Sequence, residues 1–241
     1  TYSALGPPAK AKSEALFVLQ DSPANGEALM FLTENVSGPE ETRAAEQALE
    51  KFPEKDTPMY QLAVANMAMR KLDLTAAKTA ITRALLLDAE SPEAHERMAL
   101  LYLLQKDSSG AKAEFRTAAE LASPRSQMKI VYADYEARTG EAGTAKKFLE
   151  SLTSKTPDFL SAWILLSRVA VTEGNYDKAL ALLENVVFRD SDNLDARLLQ
   201  ASCWLGKRET QKAVSVLETL DRAYPGAPVI KFQLARAELQ D

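Results

Sequence analysis

The chain has 241 residues, 46% of them hydrophobic and 26% charged, which is enough apolar material for one long domain or two compact ones. A net charge of −5 and a pI near 5.2 argue against a phosphate-tracking surface, so nucleic acid is not the expected partner. One cysteine excludes an internal disulfide framework and an all-cysteine metal site, and no run of about 18 apolar residues offers a membrane span.

In chain order, residues 1–9, opening with TYSALGPP, read as a flexible leader. Residues 10–57 carry partial and degenerate copies of a pattern that becomes regular only later. Ala11, Ala15, Val18 and Pro23 suit the second half of a helix pair. Two further helices are expected through GEALMFLTENV and PEETRAAEQALEKF, with Pro39 starting the latter.

From residue 58 the pattern returns every 34 residues without insertion: 58–91, 92–125, 126–159, 160–193 and 194–227. Position eight reads Ala65, Ala99, Ala133, Ser167, Ala201, and position twenty reads Ala77, Ala111, Ala145, Ala179, Ala213. Small residues there let two helices approach closely. Position twenty-four is large and apolar in every copy: Ile81, Phe115, Leu149, Leu183, Leu217. It lies four residues after the small alanine, on the same helical face. Breaks fall at positions fifteen and sixteen, from Leu72-Asp73 to Arg208-Glu209. Apolar spacing of three and four predicts two helices of about 13 residues per repeat and no strands. Residues 228–241 supply a first helix, with Leu234 and Ala235 at positions seven and eight, and no second.

These repeats resemble the tetratricopeptide repeat family, whose pattern is W-x2-L-G-x2-Y, then A-x3-F, then P over 34 residues. Trp163-x2-Leu166-Ser167 matches with Ser for Gly, Ala111-x3-Phe115 matches the second half, and Ala213-x3-Leu217 with Pro225 matches it with Leu for Phe. The resemblance implies an all-α, right-handed superhelical solenoid of stacked antiparallel helix pairs. It also implies that positions two, five, nine, twelve and thirteen of the first helices face a concave groove. Candidate partner-binding residues are then Leu62, Asn66, Met69 and Arg70; Glu96, Leu100, Leu103 and Leu104; Ile130, Asp134 and Arg138; and Ile164 and Arg168. The groove of chaperone-tail binders carries Lys and Asn; here position five holds no Lys, so an extended or helical peptide with apolar anchors is the better expectation.

No catalytic constellation is present in the sequence, and no cofactor or metal is expected. The single His95 sits at position four, where the family favours an aromatic, and reads as packing. Cys203 reads as a small buried thiol. Gly140 and Gly143 belong to an inter-helix turn, and the triplet Asn35-Val36-Ser37 fits a glycosylation sequon of a kind that arises often by chance. The expected function is a non-catalytic scaffold that binds another protein or peptide, in a larger bacterial assembly of the cytoplasm or envelope. The alternative is a regulatory segment of a longer multidomain protein, such as an envelope or exopolysaccharide export component. Both ends expose stacking surface, which predicts a segment of a longer repeat protein or end-to-end self-association.

Overall fold

A helical period with almost no β-branched runs leaves the backbone one way to satisfy its hydrogen bonds. The computed structural model describes residues 8–239, which form 14 helices and no strand. Residues 1–7 of the expected leader lie outside the described residues, and the first helix begins at Pro8.

The chain divides into two compact bodies between Ala122 and Ser123. The N-terminal body holds α1 (Pro8–Asp21), α2 (Gly26–Glu34), α3 (Pro39–Lys51), α4 (Pro58–Arg70), α5 (Leu74–Leu87), α6 (Pro92–Leu104) and α7 (Ser108–Leu121). The C-terminal body holds α8 (Gln127–Arg138), α9 (Ala142–Lys155), α10 (Leu160–Thr172), α11 (Tyr176–Arg189), α12 (Leu194–Gly206), α13 (Thr210–Ala223) and α14 (Pro228–Glu238). Within each regular repeat the first and second helices pack as an antiparallel pair, α4 with α5, α6 with α7, and so on to α12 with α13. First helices also touch first helices, as α4 does α6 and α10 does α12.

The small columns make the pairing close. All five alanines of position twenty are fully buried, and so are the four alanines and one serine of position eight. The large residue of position twenty-four fills the space beside them, and Ile81, Leu149, Leu183 and Leu217 have no exposure at all. Deleting such a side chain leaves a cavity that a close-packed interior relaxes around only in part.

Turn geometry repeats as strictly as packing. Position fifteen has positive φ in every repeat: Leu72 at 59°, Lys106 at 61°, Gly140 at 95°, Gly174 at 74° and Arg208 at 60°. This left-handed residue lets the amide of position sixteen donate back to the carbonyl of position eleven, at 2.8 Å from Asp107 to Tyr102 and 2.9 Å from Asn175 to Ala170. Asp73, Asp107 and Asn175 at position sixteen then cap the second helix through their side chains, whereas Glu141 and Glu209 do not.

A second recurring bond closes the turn between repeats. The position-four side chain reaches the carbonyl six residues upstream: Gln61 to Lys55 (2.9 Å), His95 to Ala89 (3.3 Å), Trp163 to Pro157 (2.9 Å) and Arg197 to Ser191 (3.0 Å). Four unlike side chains share one property, a nitrogen that can donate from that place. His95 is further held by Glu114, 2.6 Å from its Nδ1, which accounts for the lone histidine structurally.

At the N-terminus, Lys12 of α1 binds Glu41 of α3 at 2.7 Å. The Ser37 hydroxyl and amide also donate to Glu41, each at 2.7 Å.

Two predictions follow from turn and tether. An L-residue in the left-handed region is strained by about 1–2 kcal/mol, of which glycine returns part as chain entropy. Lys106→Gly is therefore expected to raise stability by about 0.5–1 kcal/mol, and Gly174→Ala to lower it by about 1 kcal/mol, in urea melts. The Lys12 bond, followed by the Ser37 hydroxyl and amide, holds the Glu41 carboxyl down from 4.5 to about 2. A depressed carboxyl stabilises the fold above its unfolded pKa and ceases to do so as pH falls through the folded one. The melting-temperature difference between wild type and Lys12→Met should accordingly be constant above pH 4.5 and shrink steadily towards pH 2.

Candidate functional site

On a helix with 100° per residue, positions two, five and nine fall within an arc of about 60°, so they share one face. In the C-terminal body these faces converge. Gln127, Ile130 and Asp134 of α8, Ser161, Ile164 and Arg168 of α10, and Asp195 of α12 line an open groove of about 260 Å³. Val131 and Leu165, from position six, form its floor. Four of the sequence-predicted residues, Ile130, Asp134, Ile164 and Arg168, thus meet in one place.

Their roles differ. Ile130 is 9% exposed and packs with Ala133, Leu149 and Leu166, so only an edge of it reaches the groove. Ile164 is half-buried. Asp134 pairs with Arg138 one turn along α8, at 2.7 Å. Arg168 is exposed and has no carboxylate within ion-pair distance among the described residues.

The corresponding face of the N-terminal body is built differently. Leu62 is 2% exposed and packs with Leu29, Met30 and Ala63. Helix α2 lies against α4 and covers it, so Leu62 is core and not partner surface. Asn66 is also buried and donates to Thr33 Oγ1 at 3.2 Å. Met69 is half-buried against the neighbouring core, and Arg70 is tied to the Val36 carbonyl. Glu96 and Leu100 are half-buried, whereas Leu103 and Leu104 are exposed.

Sequence reasoning passed over the residue that organises this face. Arg97 is buried, donates through Nε to Asn66 at 2.7 Å and through Nη1 to Glu96 at 2.8 Å, and pairs through Nη2 with Glu34. One guanidinium therefore links α2, α4 and α6. The signal was available: position six reads Ala63, Arg97, Val131, Leu165, Leu199, a single cation in an apolar column. A buried charge demands partners, and the two preceding first helices together with the neighbouring Glu96 supply them.

Cys203 is buried, and that burial pushes its thiol up to about 11, far from the thiolate a nucleophile or metal ligand needs. Among the described residues no group of three or more His, Cys, Asp or Glu side chains converges as a metal site, and no helix is long and apolar enough to cross a membrane.

Comparison with known proteins agrees with this geometry. Residues 164–228 match the tetratricopeptide repeat family. No curated protein matches the chain by sequence. Solved structures of the same fold include PilW, a widely conserved type IV pilus biogenesis factor, with TM-score 0.64 and 16% identity, covering 94% of this chain and 98% of that one. PilF of Pseudomonas aeruginosa has TM-score 0.60 and 16% identity, covering 97% and 99%. YrrB, a TPR protein with an unusual peptide-binding site, has TM-score 0.52 and 18% identity, covering 79% and 95%. At these identities the shared property is the fold.

The Arg97 network carries its own expectation. Arg97→Ala strands two carboxylates and an amide, and should lower stability by about 2 kcal/mol in chemical denaturation. Arg97→Lys should recover less than half of that loss, because an ammonium cannot make three forked contacts at once.

Proposed function

We propose that this chain, a tetratricopeptide-repeat protein, is a non-catalytic scaffold that binds another protein or a peptide along the first-helix face of its C-terminal body. The observation that carries this reading is the convergence of positions two, five and nine from three successive first helices on one open groove. Such a surface offers what peptide recognition uses: a partly apolar floor, flanking hydrogen-bonding groups, and a rigid frame that needs no reorganisation on binding. Ser161, Gln127 and Asp195 provide the polar flank, and Ile164 with Leu165 the apolar floor.

The finer reading places the chain in a larger bacterial assembly. PilW, described as a type IV pilus biogenesis factor, and YrrB, described as peptide-binding, support it as relatives in fold. In the N-terminal body, Leu100, Leu103, Leu104 and Arg70 would contribute a separate contact surface; Leu62 and Asn66 would act beneath it as support.

The test is to fill the groove. Ser161 projects into it from the start of α10, at a half-exposed position. Ser161→Trp should leave the melting temperature within about 2 °C of wild type, since a half-exposed flank position tolerates bulk. It should also abolish retention of peptides selected on the wild-type chain from a random library. Retention of the same peptides by both proteins would remove the groove from consideration.

A further inference from the structure

The groove face of the C-terminal body extends beyond the concavity formed by α8, α10 and α12. Helix α14 is a fourth first helix, and it shares a core with α12 and α13 through Ile230, Ala237, Leu217 and Ala201. Its positions two, five and twelve are Val229, Phe232 and Leu239, which are 46%, 67% and 88% exposed. Position five across the body is then Ile130, Ile164, Leu198 and Phe232, an apolar row.

A second row runs beside it. Position nine lies one turn, about 6 Å, along the helix from position five, so its side chains form a row on the C-terminal side of the apolar one, with position two on the N-terminal side. It reads Asp134, Arg168, Ser202 and Arg236. Arg138 neutralises Asp134 within α8. Arg168 and Arg236 are both exposed, and neither has a carboxylate within ion-pair distance among the described residues; Arg236 reaches only the Gln233 amide oxygen, at 3.4 Å. The acidic Asp195 sits at position two, across the apolar row. In a chain of net charge −5, this flank keeps two arginines uncompensated beside exposed apolar side chains. Exposed arginines elsewhere among the described residues are found both paired, as Arg83 is with Asp56, and unpaired, as Arg222 is; Arg168 and Arg236 are set apart by sharing one position of the stacked first helices, beside the apolar row.

We infer that the groove of the C-terminal body takes an acidic peptide with apolar anchors, its carboxylates along Arg168 and Arg236 and an apolar side chain on Phe232. The inference rests on the protein-binding reading above and names the chemistry of the partner. An extended segment presents alternate side chains to opposite sides, so alternating apolar and acidic residues would meet the two rows together. Three helix-to-helix steps of about 10 Å call for about ten residues at about 3.3 Å each. Arginine is suited to the task, because its planar fork binds carboxylates in pairs and its charge does not titrate.

The experiment uses three synthetic peptides of about ten residues with identical leucine positions and Glu, Gln or Lys between them. Binding to the full chain is read by fluorescence anisotropy at low and high salt. The Glu peptide should bind at least about tenfold more tightly than the Gln peptide, with Lys weakest, and the gap should narrow as salt screens the arginines. Arg168→Glu with Arg236→Glu should reverse the order in favour of Lys, and Phe232→Ala should weaken all three peptides. Should the double reversal fail to fold by circular dichroism, Arg168→Gln alone should weaken the Glu peptide and leave the Gln peptide unchanged. Equal binding of the Glu and Gln peptides, or Lys binding most tightly, would overturn the acidic assignment and leave the groove reading standing. No binding by any of the three, together with no effect of Ser161→Trp on library-selected peptides, would overturn both.

Discussion

Everything in this fold depends on two helices coming close enough at positions eight and twenty that no side chain larger than alanine or serine fits between them. The ten residues in those columns are essentially without exposure. Once the helices are that close, the path of the turn is no longer free. Position fifteen must adopt positive φ whether or not glycine is there, and three of the five repeats accept Leu, Lys or Arg in that strained region. The strain persists because packing on both sides over-determines the turn. The same closeness sets where position four lies, and hence why Gln, His, Trp and Arg are interchangeable there: each sends a nitrogen to the same carbonyl.

The 34-residue register was legible because it is written in size and apolarity, which repeat. The helix pairs, the small columns and the place of the break could all be read from it, whereas the left-handed conformation at the break could not. Polar pairing could not, because it depends on which unlike residues meet across neighbouring helices. Arg97 is the clearest case. Its partners Glu34, Asn66 and Glu96 come from three helices, and one of them belongs to the degenerate repeat where the register is weakest. Leu62 shows the converse. Its column predicts a groove residue, but α2 covers α4, so the same position that is half-exposed in Ile164 is closed in Leu62. The column says which way a side chain points, and the neighbouring helix decides whether anything else can reach it.

The two bodies consequently use the same face for different ends. In the N-terminal body the first helices are joined by a buried guanidinium and its acceptors, which fixes three helices but occupies the polar groups a ligand would need. In the C-terminal body the corresponding positions bear Ser161, Ile164 and Arg168, of which Ile164 packs in part against the core while Ser161 and Arg168 line the open groove. Removing a buried charge partner costs stability, whereas altering a flank residue costs little. Variation at Ser161 and Arg168 is therefore cheap for the fold, whereas Ile130 and Leu165 of the same groove belong to the core.

Charge distribution carries the last step. Some exposed arginines of this chain lie beside carboxylates, and others, such as Arg43 and Arg222, do not. Arg168 and Arg236 share position nine on the face where successive helices present Ile164 and Leu198, both half-buried, and the exposed Phe232. Apolar exposure alone would attract many partners, and cationic exposure alone would attract any anion. Side by side at the spacing of stacked helices, they restrict the partner to one that brings both kinds of group in register, because an apolar segment without carboxylates leaves the guanidiniums desolvated and unpaired. On this reading specificity comes from two rows one helical turn apart, a separation set by the helix itself, while the alanine columns set how closely the paired helices stack.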